Sequence, residues 1–325
     1  MEIIMSILKT TKANVKTLAL HSHKKWYRDR NYLQLLSMAS VPALFVFVFS
    51  YLPMFGVIIA FKDYKYNLGI LGSKWVGFKN FKGFISSNVF MRLVKNTLFC
   101  NTLFIVFGTL FAIFIAIMLY EISGRMRTKI FQTIMIIPNF ISWVLVAFLV
   151  YIFLSPTSGL LNRLICAFGI EAVDWYSIPK IWPAILTIVF VWKSFGMDSV
   201  IYYAALMGID SSVIEAAEID GATKNQINRH VVIPSILPLI VILVILKIGN
   251  IFRGDFGLFY NVTRDVGILY ETVDVLDTYI YRLVREVGNM SISSAAGLMQ
   301  SVVGFVLVVL TNRVSKRIDP DGGLF

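Results

Sequence analysis

The feature that most constrains this chain is a series of long, unbroken apolar runs. They cover about residues 33–61, 96–122, 130–154, 183–206, 234–252 and 293–311. Each approaches or exceeds the roughly 20 residues that an α-helix needs to cross a bilayer. In lipid every backbone N–H and C=O must find a partner within the chain, which leaves helices and closed barrels. The runs are continuous and do not alternate, so a barrel does not fit. Only 15% of the 325 residues are charged, where a soluble domain carries about 25%. The expected fold class is all-α: a polytopic membrane helix bundle with six transmembrane helices.

Charge gives orientation and excludes other partners. The formal charge of +11 would suggest nucleic acid in a soluble protein. In a membrane protein, basic loops set topology and meet anionic headgroups, so the partner is the lipid bilayer and no nucleic acid is expected. Residues 1–31 are basic, as are the 123–129 turn and the tail with Arg313, Lys316 and Arg317. All are expected in the cytoplasm, with both termini inside a cell membrane. Segment 62–95 also carries seven Lys and Arg and runs against that rule, because six spans place it outside. Short loops weigh most in the rule, and they favour the inside termini. The expected organisation is a basic N-terminal segment 1–31, a six-span domain 32–318 with a polar elbow at 207–233, and a tail 319–325. No apolar h-region occurs in the first 31 residues, so no cleavable signal is expected. Cys100 and Cys166 lie far apart without metal-ligand spacing, and no disulfide is expected.

Several details qualify the spans. Pro42 and Pro53 predict a kink or early end near residues 51–53 in the first, and Pro138 falls inside the third. Trp175, Tyr176 and Trp182 suit interface depth before the fourth. Lys193, Asp198 and Lys247 are ionisable groups within spans. Intramembrane charge is by default a functional candidate. The blander reading is that both lysines lift their ammonium groups to water or pair structurally.

The elbow interrupts the apolar pattern with SSVIEAAEIDGATKNQINRHVVIPSILP, residues 211–238. Ser212 with Glu215, and Thr223 with Gln226, have capping-box spacing. Gly221 lies between the pairs, where a C-terminal cap needs positive φ. Pro234 suits the first turn of a new helix. The expected order is helix, glycine turn, helix, then a membrane helix from Pro234. A helical elbow between two spans is a docking surface. Elsewhere the search for chemistry returns little. His21, His23 and His230 form no metal pattern, and neither a nucleophile elbow nor a phosphate loop is present. No cofactor is expected. Energy for uphill transport would have to enter from another chain or an ion, and no inverted repeat of an ion-coupled carrier is visible. A stand-alone carrier or channel, or a membrane scaffold or enzyme, remains an alternative on these grounds.

The elbow residues resemble a known signature. Glu215-Ala216-Ala217, then Gly221, Val231, Ile233 and Pro234, is similar to the motif of membrane subunits of binding-protein-dependent ABC importers. That motif has Ile where Val231 stands and Leu where Ile233 stands. Residues 75–81 (WVGFKNF) and Asn96-Thr97 resemble the maltose-type sugar-permease branch. Residues 53–64, 277–282 and 296–304 resemble more narrowly its larger, LplB-type permeases, associated with complex oligosaccharides. The resemblance covers nearly all of the chain beyond its basic N-terminal segment. It implies a type I importer permease fold in which the elbow is a coupling helix seated on a cytosolic ATPase dimer. ATP would be bound by that ATPase. Glu215 would offer a carboxylate to a basic residue there, Ala216 and Ala217 would allow close approach, and Asp220 and Gly221 would complete the motif and set the angle. A second permease would supply the other half of the pathway, and an extracellular solute-binding protein would deliver an oligosaccharide. Asn139, Trp143, Tyr151, Trp192, Tyr202 and Asn250 have the right chemistry for sugar contact, although bundle packing or interface anchoring is the better account of each, and no substrate-binding residue is assigned.

Overall fold

The computed structural model describes residues 30–122 and 124–318. The tail 319–325, and all but the last two residues of the basic segment 1–31, lie outside the described residues. The fold is helical, with a single two-stranded hairpin among the described residues.

The chain divides into two compact units, Met1–Ile58 and Ile59–Phe325. In the first, helix α1 (Arg30–Val46) passes into a π turn at Phe47–Tyr51. A 3-10 stretch, Leu52–Phe61, follows. The expected irregularity before Pro53 is therefore a change of helix type.

The second unit takes in the end of that stretch from Ile59, followed by strands β1 (Lys62–Asp63) and β2 (Lys74–Trp75), paired antiparallel. Phe61 stacks on Trp75 with ring centroids 5.7 Å apart. Asn80, in helix α2 (Lys79–Ile85), donates to the carbonyls of Ala60 and Lys62 at 2.9 Å each. Those two bonds lock the hairpin base.

Among the described residues five helices are long and apolar enough to cross a membrane, and a bent pair taken as one span adds a sixth. After α1, helix α3 (Phe90–Glu121) is the longest. The third expected span is not one helix. It is α4 (Arg125–Phe140) followed by α5 (Trp143–Leu154), with a bend of 95° between them. Pro138 weakens the last turn of α4, Ile141 is extended, and the Ser142 hydroxyl accepts from Leu145 N to start α5. The break strands carbonyls at membrane depth. Lys193 of helix α7 (Trp182–Leu206) supplies the donors: its Nζ lies 2.7 Å from the Asn139 carbonyl and 3.3 Å from that of Pro138. Between α5 and α7 the chain forms the short helix α6 (Leu160–Ala167). Lys193 is buried and bonds these carbonyls, so of the two bland readings it is structural pairing that the structure shows. Helix α7 also crosses α4 at Gly196, where any Cβ would collide with the backbone of Met135.

The fifth span also differs from expectation. Lys224–Gly249 is one continuous helical span. It contains α9 (Lys224–Ile227), a π turn at Asn228–Val232, and α10 (Ile233–Gly249). Pro234 does begin the α10 geometry, but the π turn absorbs its missing N–H, so the helix has no gap there. Lys247 of α10 pairs with Asp198 of α7 at 2.7 Å. The last helices are α11 (Leu276–Arg285) and α12 (Met290–Ile318).

At the end of the bundle away from the elbow, segment 250–289 is pinned by polar bonds. The Asn96 amide donates to the carbonyls of Glu271 (3.1 Å) and Asp274 (3.2 Å), and the Thr97 hydroxyl accepts from Leu276 N. Arg282 joins Asp274 at 2.5 Å and Asp265 at 3.0 Å. The Asn-Thr pair at the start of the second span thus clamps this cap to α3. Apolar packing between the same elements fills the rest, with Cys100, Phe104, Val146, Trp182 and Phe259 in one buried cluster.

Candidate functional site

The elbow lies at the end of α7. Helix α8 (Ser211–Ile219) is capped by Asp210, whose Oδ1 accepts from Ser212 N at 3.0 Å. The expected Ser212 cap is displaced by two residues, because a carboxylate is the stronger acceptor and suits the positive end of the helix dipole. That backbone bond also holds the Asp210 carboxyl below its ordinary value of 3.8.

At the other end Gly221 has φ +81°. Ala222 N donates to Ala217 O and Gly221 N to Glu218 O, both at 3.0 Å. This pair of bonds is a Schellman closure. Gln226 then accepts from both Thr223 N and its hydroxyl at 2.8 Å, as the spacing predicts. The Asn228 amide donates to Glu121 at 2.6 Å, tying the elbow to the end of α3.

Helix α8 has two faces. Ile214 and Ala217 pack inward with Ala222 and Val231 against Ala112, Tyr202, Leu206 and Val232. Glu215, Ala216 and Asp220 are exposed, and Ile219 is 86% exposed. Among the described residues, Glu215 engages no ion pair or side-chain hydrogen bond. The structure therefore presents a carboxylate, a methyl and an apolar side chain on one free helical face. Ala217, expected on the docking side, is half-buried against the bundle. Ile219 is an apolar residue on the polar side of a short helix, and it completes this exposed face.

The candidate sugar-contact residues scatter. Trp192 lines an apolar groove between α3 and α7. Tyr202 is buried beneath the elbow. Trp143 donates to Asp255 at 2.9 Å, and the Asn139 carbonyl is taken by Lys193. Asn250 lines a concavity of about 600 Å³ at the far ends of α10 and α12, with Arg253, Phe256, Gln300 and Ser301. Tyr151 lines a second, of about 320 Å³, with Tyr260 and Arg264.

The inner-membrane component model of binding-protein-dependent transport systems matches residues 108–320. The chain belongs to that family. Relatives along nearly its whole length agree. The polygalacturonan/rhamnogalacturonan transport system permease protein YteP of Bacillus subtilis (strain 168) is 33% identical, covering 97% of this chain and 99% of that protein. Protein LplB of the same strain is 34% identical, covering 88% and 90%. A solved bacterial alginate ABC transporter, in complex with an alginate pentasaccharide-bound periplasmic protein, superposes with a TM-score of 0.80. It shares 34% identity and covers 91% of this chain and 98% of that one. The protein is thus a multi-pass permease subunit of an ABC importer with the type I permease fold. That membership favours the importer over the stand-alone carrier and scaffold alternatives.

Proposed function

We propose that this permease forms half of the translocation pathway for an oligosaccharide cut from a complex polysaccharide. A second permease supplies the other half, and an extracellular binding protein delivers the sugar. The elbow, 207–233, seats in a separate cytosolic ATPase dimer, which alone binds ATP; this chain has no ATPase site of its own. The elbow end, where Arg125, Arg127 and Lys129 begin α4, faces the cytosol together with both termini.

The observation that carries this reading is the free face of α8. Glu215 meets a basic residue of the ATPase through a charge-assisted bond, which is stronger than a neutral one. Ala216 and Ile219 fill the surrounding apolar cleft, and Asp220 and Gly221 fix the angle. Through Asn228–Glu121 and the direct links to α7 and α10, a push on the elbow reaches three spans. Asp198–Lys247 holds α7 and α10 together as they move. The sugar reading is supported by the relatives above and by the aromatic, amide, hydroxyl and guanidinium groups around Asn250.

The test is ATP-driven oligosaccharide uptake by the reconstituted assembly. Glu215→Lys inserts normally and loses uptake and ATPase docking. Normal uptake by that variant contradicts the coupling role, and uptake by the purified chain without an ATPase contradicts the importer mechanism.

A further inference from the structure

Segment 62–95 lies at the end of the bundle away from the elbow and carries seven Lys and Arg, against the usual bias of basic residues toward the cytosol. Its hairpin is internally braced. Lys62 Nζ donates to the carbonyls of Ile70 (2.7 Å) and Leu71 (3.2 Å). The Ser73 hydroxyl donates to Gly69 O at 2.6 Å and accepts from Lys65 N at 3.0 Å. These bonds staple the loop between β1 and β2. Phe61 holds the other side, with its ring 5.7, 5.5 and 5.2 Å from those of Trp75, Phe78 and Phe81. The braced surface nonetheless turns apolar side chains outward. Leu71 is 93% exposed, Phe78 74%, Trp75 60% and Leu68 51%. Around them Lys65, Lys74, Lys79 and Lys82 are also exposed, and none enters an ion pair among the described residues. Asp63 is the single acid between residues 62 and 85.

Two attachments fix the depth of this surface. It follows directly on Phe61, the last residue of the first apolar span. Tyr64 N donates to the hydroxyl of Ser291 at 2.8 Å, the second residue of α12, where the last span begins. Phe84 of α2 adds apolar contact at the same level, in a buried cluster with Leu93, Leu276 and Ala296. The hairpin therefore sits level with the ends of the spans, where hydrocarbon gives way to headgroups and water. Aromatic rings are favoured at that depth. Lysine stems lie along apolar surface there and lift their ammonium groups to the headgroups.

An exposed apolar patch marks a contact with protein or membrane. A delivering protein leaves in every cycle and would return these side chains to water each time, whereas lipid covers them throughout. Four unpaired ammonium groups beside one carboxylate select a negatively charged surface. We propose that hairpin 62–85 is a binding site for anionic phospholipid in the leaflet away from the elbow. Leu68, Leu71, Trp75 and Phe78 meet the acyl boundary, and Lys65, Lys74, Lys79 and Lys82 meet the headgroup phosphates. Lipid binding then accounts for lysines on the side that the charge bias disfavours. The site is independent of the cargo and of the ATPase contact, so its failure leaves both of those readings in place.

The experiment uses the full assembly in proteoliposomes, with Leu71→Cys carrying a thiol-linked fluorophore. Exposed Cys166 is removed as Cys166→Ser, and Cys100 is buried. The probes are acyl-brominated phosphatidylglycerol and acyl-brominated phosphatidylcholine, each added as a minor fraction to phosphatidylcholine vesicles. Both lipids quench the fluorophore, and at equal mole fraction the phosphatidylglycerol quenches it more. A lysine near an anionic surface contributes about fivefold to local affinity. Lys74→Gln therefore lowers the apparent affinity for brominated phosphatidylglycerol about fivefold, and Lys65→Gln combined with Lys82→Gln lowers it further. Quenching by brominated phosphatidylcholine stays unchanged in these variants, and the loaded external binding protein alters neither signal. No quenching by either lipid overturns the proposal, as does equal quenching by the two. An affinity for phosphatidylglycerol that no glutamine variant moves overturns it as well. So does quenching that the binding protein relieves, which would assign the patch to that protein.

Discussion

Substituting Gly221 separates backbone geometry from side-chain packing at the elbow. Its φ of +81° belongs to the left-handed region, yet no heavy atom lies within 4 Å of the position a Cβ would take. The cost of any substitution is therefore conformational. It is about 1–2 kcal/mol for an ordinary L-residue, less for Asn, which tolerates this region, and more for a β-branched residue. The strain relaxes by opening the two 3.0 Å closing bonds from Ala222 and Gly221, which frees α8 from α9. A penalty of about 2 kcal/mol weights the open elbow roughly 30-fold. Gly221→Asn is expected to behave near wild type, Gly221→Ala to be intermediate, and Gly221→Val to hydrolyse ATP with little transport. The assay is the ratio of ATP hydrolysed to solute accumulated in proteoliposomes, with assembly checked by co-purification of the ATPase. Equal coupling in the Asn and Val variants, or full coupling in Val, refutes the reasoning, because a packing-neutral site leaves no other source for the effect.

Two further outcomes follow from the same geometry. Lys193→Met keeps the side-chain length but removes the bonds to the Pro138 and Asn139 carbonyls. Charged hydrogen bonds contribute about 1.5–3 kcal/mol each, and relief of ammonium burial offsets part of that. A net loss of about 2 kcal/mol should lower the thermal unfolding midpoint of the assembly, and an unchanged or raised midpoint would show that burial of the charge dominates. For Asp210, the folded carboxyl titrates below its ordinary 3.8, so its stabilisation is present above that value and lost as pH falls through the folded one. Amide-exchange protection of Ser212 should be flat from neutral pH down to about 4 and fall below it, whereas Asp210→Ala should lack protection throughout; loss already at pH 6 would contradict the cap.

Much of this was legible in the sequence for local reasons. The spans follow from run length, the left-handed turn from Gly221, and the Thr223–Gln226 bond from a three-residue spacing. What the sequence hid is non-local. The 95° break after Phe140 depends on a lysine more than fifty positions away that satisfies the freed carbonyls. Lys193 read in isolation resembles a residue reaching for water, because its acceptors belong to another helix. The inward turn of Ala217 follows from the angle at which α8 meets the bundle, which no local motif encodes. Counting charges in segment 253–292 shows an acidic loop, and only the fold shows that Asp255, Asp265 and Asp277 each accept from an internal donor. The Asn96–Thr97 pair was visible as a resemblance, and its physical task, clamping residues 271–276 to α3, came only with the structure.

The central claim is that the outward face of α8 is the contact with the ATPase, and site-directed cross-linking tests it most directly. Single cysteines are placed at exposed Ala216 and Ile219 and at inward-packed Ala217, and the assembled complex is treated with a short bifunctional thiol reagent. The account predicts that Ala216→Cys and Ile219→Cys cross-link to cysteines lining the ATPase cleft, in a manner that changes with ATP, while Ala217→Cys does not. Cross-linking from Ala217→Cys alone, or from none of the three in an assembly that still transports, contradicts it.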